Sequence, residues 1–340
     1  MRQINNKKNN IFKKFFIKIC RFFGFELIDQ NKLLIPTRNK KLTETISTAG
    51  QKSINIPLGE VKITRKIQSL DIIVRTCTKV KMLTQNKERV FETNKLEYTL
   101  RTIKSILESI MEAKKYFFIN INLIIVDHDS SKENLNQIKN LISSYKFDFR
   151  LINLDINEFK DQINKINEMK EEVIDNQISN MSNIWKSFEL SKSSSDLIYF
   201  VEDDYLHKKE ALKEILFTYE RISSQKKCEL IIIPADYPYL YSKIENTEIY
   251  LGDKYHWRKV NESLCTFLTS KKILERNWEK FTSMCKFEHY PFEKPLHEIY
   301  IEELCISPIP SLAVHLTNIN SIYGISPNVN LEKLWEDNEP

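Results

Sequence analysis

The chain has 340 residues, 41% hydrophobic and 11% aromatic, enough to bury a core in one large domain or two small ones. Its net charge of +5 is unevenly placed: residues 1–23 hold Arg2, Lys7, Lys8, Lys13, Lys14, Lys18, Arg21 and no acid, a charge of +7, so the remainder sums to 5 − 7 = −2. That balance excludes a nucleic-acid binder for the body of the chain, and six cysteines without a C-x-x-C pair exclude both a zinc framework and a disulfide scaffold.

Cysteine usage and the lack of a secretory pattern are those of a reducing, cytoplasmic setting. In the basic tail, taken as residues 1–36, Phe12, Phe15, Phe16, Ile19, Phe22 and Phe23 recur at helical spacing among lysines. A basic amphipathic helix with phenylalanine on its apolar side suits an anionic membrane surface, here the inner face of the membrane. Lys13, Lys14 and Lys18 interrupt the run, so it cannot span a bilayer. The alternative is that these rings dock on the protein's own core.

Residues 37–69 are polar and weakly patterned, as in a linker or cap. The globular body begins at Leu70, where "LDIIVRT" reads as a strand, followed by a polar loop through Asn94. A helix follows, with Ile103, Ile106, Leu107 and Ile110 on one side. "INLIIVDHDSS" is a second strand ending in acids and "FDFRLINL" a third; the charged stretch Asp155 to Asp175 reads as a surface helix. Met181, Ile184, Trp185 and Phe188 mark another amphipathic helix.

Next comes "SDLIYFVEDDYL", a short buried-type strand that ends in Glu202, Asp203 and Asp204. Three adjacent carboxylates repel one another and resist desolvation, so a cation, backbone N–H donors or water must offset them. A helix containing Leu212, Ile215, Leu216 and Tyr219 and a strand "ELIIIPAD" complete an alternation that defines an α/β protein with a largely parallel sheet. Ligands of such sheets bind beyond the C-terminal strand ends. Both acidic tips, 127–129 and 202–204, then share one edge.

None of the five glycines falls between Asp71 and Val201. A glycine-rich phosphate turn is thereby excluded from the first four strands, and a metal held by carboxylates is the substitute for neutralising a nucleotide's phosphates.

The ordered set "DIIVRT", "LIIVDHDSS", "NMSNIWKSFELSKSSSDLIYFVEDDYL" and "CTFLTSKKIL" resembles family-2-like glycosyltransferases of the GT-A fold, over roughly Leu70 to Ser326. The resemblance implies a GT-A-like mixed, largely parallel sheet flanked by helices. Its nucleotide-sugar half would span 70–235 and its acceptor half 236–326, before a tail over 327–340. Glu202-Asp203-Asp204 looks like an E-D-D variant of the family's D-x-D motif, as in N-acetylglucosaminyltransferases of the animal Golgi. The family's usual D-D-G-S tip reads Asp127-His128-Asp129-Ser130 here.

Carried over by position, Arg75, Thr76, Asp127, Asp129 and Asp203 would contact the nucleotide of a UDP- or GDP-linked donor. Asp204 and Glu202, with His315 as a late third ligand, would hold Mn2+ or Mg2+, hard cations that suit oxygen donors. Arg75 could equally pair with one of the acids. The aromatic stretch 237–257 offers Tyr255 and Trp257 as a stacking platform for a glycan or glycolipid acceptor. "LHEIYIEEL" offers Glu298, Glu302 and Glu303 as the carboxylate that deprotonates the acceptor hydroxyl; Glu298 and Glu302 share a helix face if the segment is helical. For all of these residues a purely structural role is the simpler alternative.

The expected function is metal-dependent transfer of a sugar from a nucleotide-sugar to a hydroxyl of a cell-surface glycan or glycolipid. Two others compete: a haloacid-dehalogenase-like phosphatase using Asp127, and a nucleotide-sugar-binding protein without catalysis.

Overall fold

The structure, a computed structural model, describes residues 11–25, 62–79, 90–242, 247–317 and 321–340. The chain divides into two units, Met1–Lys62 and Ile63–Pro340. In the first, α1 (Ile11–Phe22) is the expected helix. Its Phe15, Phe16 and Phe22 rings are exposed, as are Phe23 and Phe25 beyond its end. No described helix is long and apolar enough to cross a membrane. Most of the linker or cap expected over 37–69 lies outside the described residues.

The second unit is α/β, as expected: a mixed, largely parallel sheet flanked by helices. Its strands are β1 (Ser69–Thr76), β2 (Asn120–Asp127), β3 (Phe149–Asn153), β4 (Leu197–Glu202), β6 (Leu230–Ile232), β7 (Ile249–Leu251), β8 (His256–Lys259), β9 (Phe267–Ser270) and β10 (Leu304–Ile309). Their order is β3-β2-β1-β4-β9-β6-β10-β8-β7, with β9 and β8 running against the rest. Between β4 and β6 comes β5 (Tyr205–His207), which pairs antiparallel with β11 (Ala313–His315) in a separate ribbon.

The central strands are continuous apolar runs because helices cover both faces. Ile72, Ile73 and Val74 of β1 and Leu197 to Val201 of β4 are buried. The helices are α2 (Lys95–Ala113), α3 (Lys132–Ser144), α4 (Asn157–Lys160), α5 (Asp175–Ser191), α6 (Ala211–Lys226), α7 (Lys271–Arg276), α8 (Trp278–Lys286), α9 (Lys294–Glu302) and α10 (Leu331–Asp337). Asn94 caps α2 by accepting from the Glu97 N–H, and the Ile103, Ile106, Leu107 and Ile110 stripe is buried as its spacing requires.

Two elements depart from expectation, the stretch 155–175 and the C-terminal tail. The stretch 155–175 is one short turn of helix, α4, followed by an irregular strap with a single bridge between Ile166 and Glu172. Hydrogen bonds from the Asn164 and Glu168 N–H groups to the Lys286 and Glu288 carbonyls hold that strap. Residues 70–235 and 236–326 contribute to one sheet, in which β9 lies between β4 and β6. The tail over 327–340 contains α10, whose Trp335 stacks on Phe91 at 4.1 Å and lies under the Arg101 guanidinium.

Candidate active site at the C-terminal strand ends

The parallel register brings the acidic tips to one edge. Arg75 is opposite Glu202 across the β1–β4 pair, and Thr76 is opposite Asp127 across β1–β2. Beyond these ends lies a cavity of about 680 Å³. Its lining comes from β1 (Arg75, Thr76), the acidic triplet, α5 (Asn176, Asn180), the loop after α8 (residues 288–293) and the strand-and-loop region of His315 and Tyr323.

The three carboxylates are offset by the protein's own groups, each differently. Glu202 lies 3.1 Å from Arg75 Nη2 and accepts from the Thr266 hydroxyl at 3.3 Å. Arg75 Nη1 donates to Asn180 Oδ1 at 3.1 Å, but the buried Nη2 has no aligned hydrogen-bond acceptor. Asp203 is buried, meeting Lys95 Nζ at 2.6 Å and the Thr99 hydroxyl at 2.8 Å; the Cys77 N–H donates to it at 3.3 Å. Asp204 faces Lys95 at 3.8 Å on one side and His315 Nε2 at 3.6 Å on the other.

His315 is fixed by its neighbours. It is paired with Tyr205 in the β5–β11 ribbon and stacks on that ring at 4.7 Å and 11°. Nδ1 lies 3.0 Å from the Tyr323 carbonyl, which can only accept, so Nδ1 carries a proton and Nε2 is the atom turned to Asp204. Burial pushes this imidazole down, but Asp204 and Glu202 outweigh it and the net shift is upward.

The same geometry tests the fit of a divalent ion. Two donors bound to one ion at about 2.1 Å with a near-right angle stand about 3 Å apart, close to the Asp204–His315 separation. A carboxylate oxygen beside an imidazole whose other nitrogen donates to a carbonyl is a donor pair suited to Mg2+ or Mn2+. Among the described residues no three His, Cys, Asp or Glu side chains already converge on a metal position. Glu202, turned to Arg75, is not yet a third ligand. The residues fit an ion whose remaining positions a ligand fills.

The other expected site residues fall in different places. Asp127 is buried and accepts from the Thr76 and Ser130 hydroxyls at 2.7 and 2.6 Å. It therefore orients Thr76, which lines the cavity, and does not line the cavity itself. Asp129, at φ 59°, is exposed in an ion pair with Lys79.

Trp257 is fully buried, its Nε1 3.3 Å from Glu214 Oε1, and Gly252 packs so tightly that a Cβ would stand 2.4 Å from both atoms. Tyr255 donates to Glu210 at 2.9 Å. Neither ring lines the cavity, which corrects the expected platform: both pack a loop onto α6.

α9 is helical, so Glu298 and Glu302 share a helix face, yet Glu298, Glu302 and Glu303 lie outside the cavity lining. Glu302 pairs with Lys280 at 2.9 Å, and Glu303 is ion-paired with Arg276. Glu303 immediately precedes β10, which runs parallel to β6, so it stands at the N-terminal edge of the sheet. That is the wrong end for chemistry at Asp204. The carboxylate that does line the cavity is Glu293, on the loop between α8 and α9. Burial raises it to about 7, and Glu202 adds to the rise.

No protein-family model and no curated protein matches the chain. Among solved structures, the galactosyltransferase LgtC with donor and acceptor sugar analogues is 10% identical, covering 79% of this chain and 95% of its own, at a TM-score of 0.38. A UDP-glucose pyrophosphorylase with UDP-glucose is 12% identical over 71% of this chain and 90% of its own, at 0.36. Mouse xyloside xylosyltransferase 1 is 12% identical over 68% and 76%, also at 0.36. The strand order, the acid-tipped β4 and the cavity beyond it define an α/β protein with a mixed, largely parallel sheet and a cavity at its C-terminal strand ends.

Proposed function

We propose that the chain is a glycosyltransferase that moves a sugar from a UDP- or GDP-linked donor to a hydroxyl acceptor on a glycan or glycolipid. One observation carries the reading: the cavity at the C-terminal edge is lined together by Arg75, Lys95, the 202–204 acids and His315. Cations set among acids suit a ligand that is both anionic and metal-bound, which describes a nucleoside diphosphate.

In this reading Arg75 and Thr76 meet the nucleotide, Asp127 acts through Thr76, and Asp203 holds Lys95 in place. Asp129 would meet the ribose or base only after release from Lys79. Asp204 and His315 would hold Mn2+ or Mg2+, with Glu202 joining when Arg75 turns to the donor. The ion supplies positive charge to the departing diphosphate. The phosphatase alternative needs an accessible nucleophile, whereas the Asp127 carboxylate is buried under three hydrogen bonds. Exposed phenylalanines and a basic face on α1 favour work at an anionic membrane surface on the cytoplasmic side.

Calorimetry with UDP and GDP, each with Mn2+, Mg2+ or a chelator, tests the proposal. Binding of one nucleotide that disappears in chelator is expected. Equal affinity in chelator removes the metal, and no binding of either nucleotide sinks the transferase. Binding without release of UDP or GDP from a panel of sugar nucleotides leaves a binding protein.

A further inference from the structure

The ribbon that carries His315 has a back as well as a front. β5 and β11 pair over three residues each, too short a pair to keep its geometry unaided. Alternation along the strands puts Tyr205 and His315, opposite one another, on one face and Leu206 and Val314 on the other, with Leu316 beyond. Leu206, Val314 and Leu316 are fully buried, in an apolar cluster separate from the main core. Tyr98 of α2 and Leu334 of α10 complete that cluster, and Phe91 and Trp335 pack against it.

α10 is also tied to α2. Trp335 stacks on Phe91 and meets the Tyr98 ring edge-on at 5.0 Å, while the Tyr98 hydroxyl holds Phe91 by both its N–H and its carbonyl. Arg101 lies over the Trp335 ring and donates to the Trp335 carbonyl, and its Nε is ion-paired with Glu97. Lys104 donates to the Glu339 carbonyl. A different face of α2 presents Lys95 and Thr99, four apart, to Asp203. One turn and a half further on, the Ser105 hydroxyl accepts from the His207 N–H and pins β5 to the same helix.

We infer that α10 positions the Asp204–His315 pair: it clamps the back of the ribbon against α2 and so sets the separation at which the two side chains share a divalent ion. The consequence for the metal rests on the transferase reading; the clamp does not. Trp335, Leu334 and Arg101 act only through other residues, because none of them lines the cavity. Taking the Trp335 ring away loosens the apolar cover that offsets the ribbon's shortness. Metal–ligand distances hold to about 0.2 Å, so a ribbon free to shift by more than that loses the ion while the sheet stays folded.

The test uses the full chain with Trp335→Ala, Trp335→Phe and Arg101→Gln. Glu229→Gln, at the other edge of the sheet, serves as a variant destabilised far from the ribbon. Amide hydrogen exchange without metal is read over 204–207 and 313–316 and compared with β1 and β4. Mn2+ affinity is read by calorimetry with UDP or GDP present, beside the melting temperature. Trp335→Ala should speed exchange in the ribbon by about 10-fold or more and leave β1 and β4 as slow as in wild type. It should weaken Mn2+ by about 10- to 100-fold, and Trp335→Phe should recover most of both. Arg101→Gln, which leaves the apolar contacts in place, should move both in the same direction by less. Glu229→Gln should melt lower and match wild type in both.

Wild-type exchange of the ribbon in Trp335→Ala and Arg101→Gln overturns the inference. Faster exchange with unchanged Mn2+ affinity also overturns it, as does an equal loss of Mn2+ affinity in Glu229→Gln, which makes stability alone the cause. A wild-type protein that binds neither Mn2+ nor nucleotide sinks the transferase reading, and exchange alone then decides whether α10 clamps the ribbon.

Discussion

Asp204 Oδ1 and His315 Nε2 stand 3.6 Å apart, brought together although 111 positions (315 − 204) separate them in sequence. The β5–β11 ribbon does this, helped by the Leu316 N–H donating to the Asp204 carbonyl at 2.8 Å. The pair is thus built into backbone pairing and does not depend on loop placement. Asp204→Asn should abolish Mn2+-dependent nucleotide binding, and His315→Ala should weaken Mn2+ by 10- to 100-fold. Manganese affinity and melting temperature, measured together, decide. A His315→Ala protein that melts far lower yet binds Mn2+ normally removes that residue from the metal.

Asp203 should behave in the opposite way. It joins Lys95 and Thr99 of α2 to the backbone after β1, and truncating a buried, hydrogen-bonded carboxylate strands its partners. Asp203→Ala should cost roughly 2–4 kcal/mol of stability. Denaturant unfolding reads this. A change under about 0.5 kcal/mol, the range of ordinary surface substitutions, shows the anchor to be dispensable.

A third expectation concerns acid. At the sheet's other edge Glu229 accepts from Arg65, Lys272 and the Tyr219 hydroxyl. Burial raises its pKa, but these partners outweigh burial and hold it at about 2, against 4.5 unfolded. The folded form therefore binds the proton less readily than the unfolded chain, and this contribution to stability is complete above pH 4.5. It is lost as pH falls from there through about 2. Glu229→Gln should lower the melting temperature at pH 7 and lose that disadvantage toward pH 3. An equal deficit at both pH values rules out the ionised carboxylate as its source.

Removing residues 1–25 should release the protein from vesicles of anionic lipid and leave nucleotide affinity unchanged. The motive is a helix with Lys13, Lys14, Lys18 and Arg21, no acid, and exposed Phe15, Phe16 and Phe22. Sedimentation with phosphatidylserine vesicles against phosphatidylcholine alone reads it. Cosedimentation of the shortened chain at the full-length level defeats the idea.

The strands were legible because β-branched and aromatic runs ending in acids need no long-range information. The shared edge of the two acidic tips followed from parallel topology alone. Helix periodicity put Glu298 and Glu302 on one face of α9 but could not say which end of the sheet Glu302 and Glu303 would reach. Glu293 carries no periodic signal; its one local clue is a place between Pro291 and Pro295, on a loop that a helix must follow. The charged stretch 155–175 reads as a surface helix, but distant carbonyls, at Lys286 and Glu288, set the shape of the strap after α4. Sequence does not reveal that Glu214 and Gly252 enclose Trp257.

The reversed strand β9 has a consequence for how the chain matures. Residues 69–202 complete four parallel strands on their own, but the outer edge of β4 has no neighbour until residues 267–270 arrive. While the chain emerges from the ribosome, that apolar edge is a template for any other strand, including one from a second nascent copy. Closure of the sheet must wait for a distant segment, so folding of this body should be slow and late, and truncations ending before β9 should be the ones that aggregate.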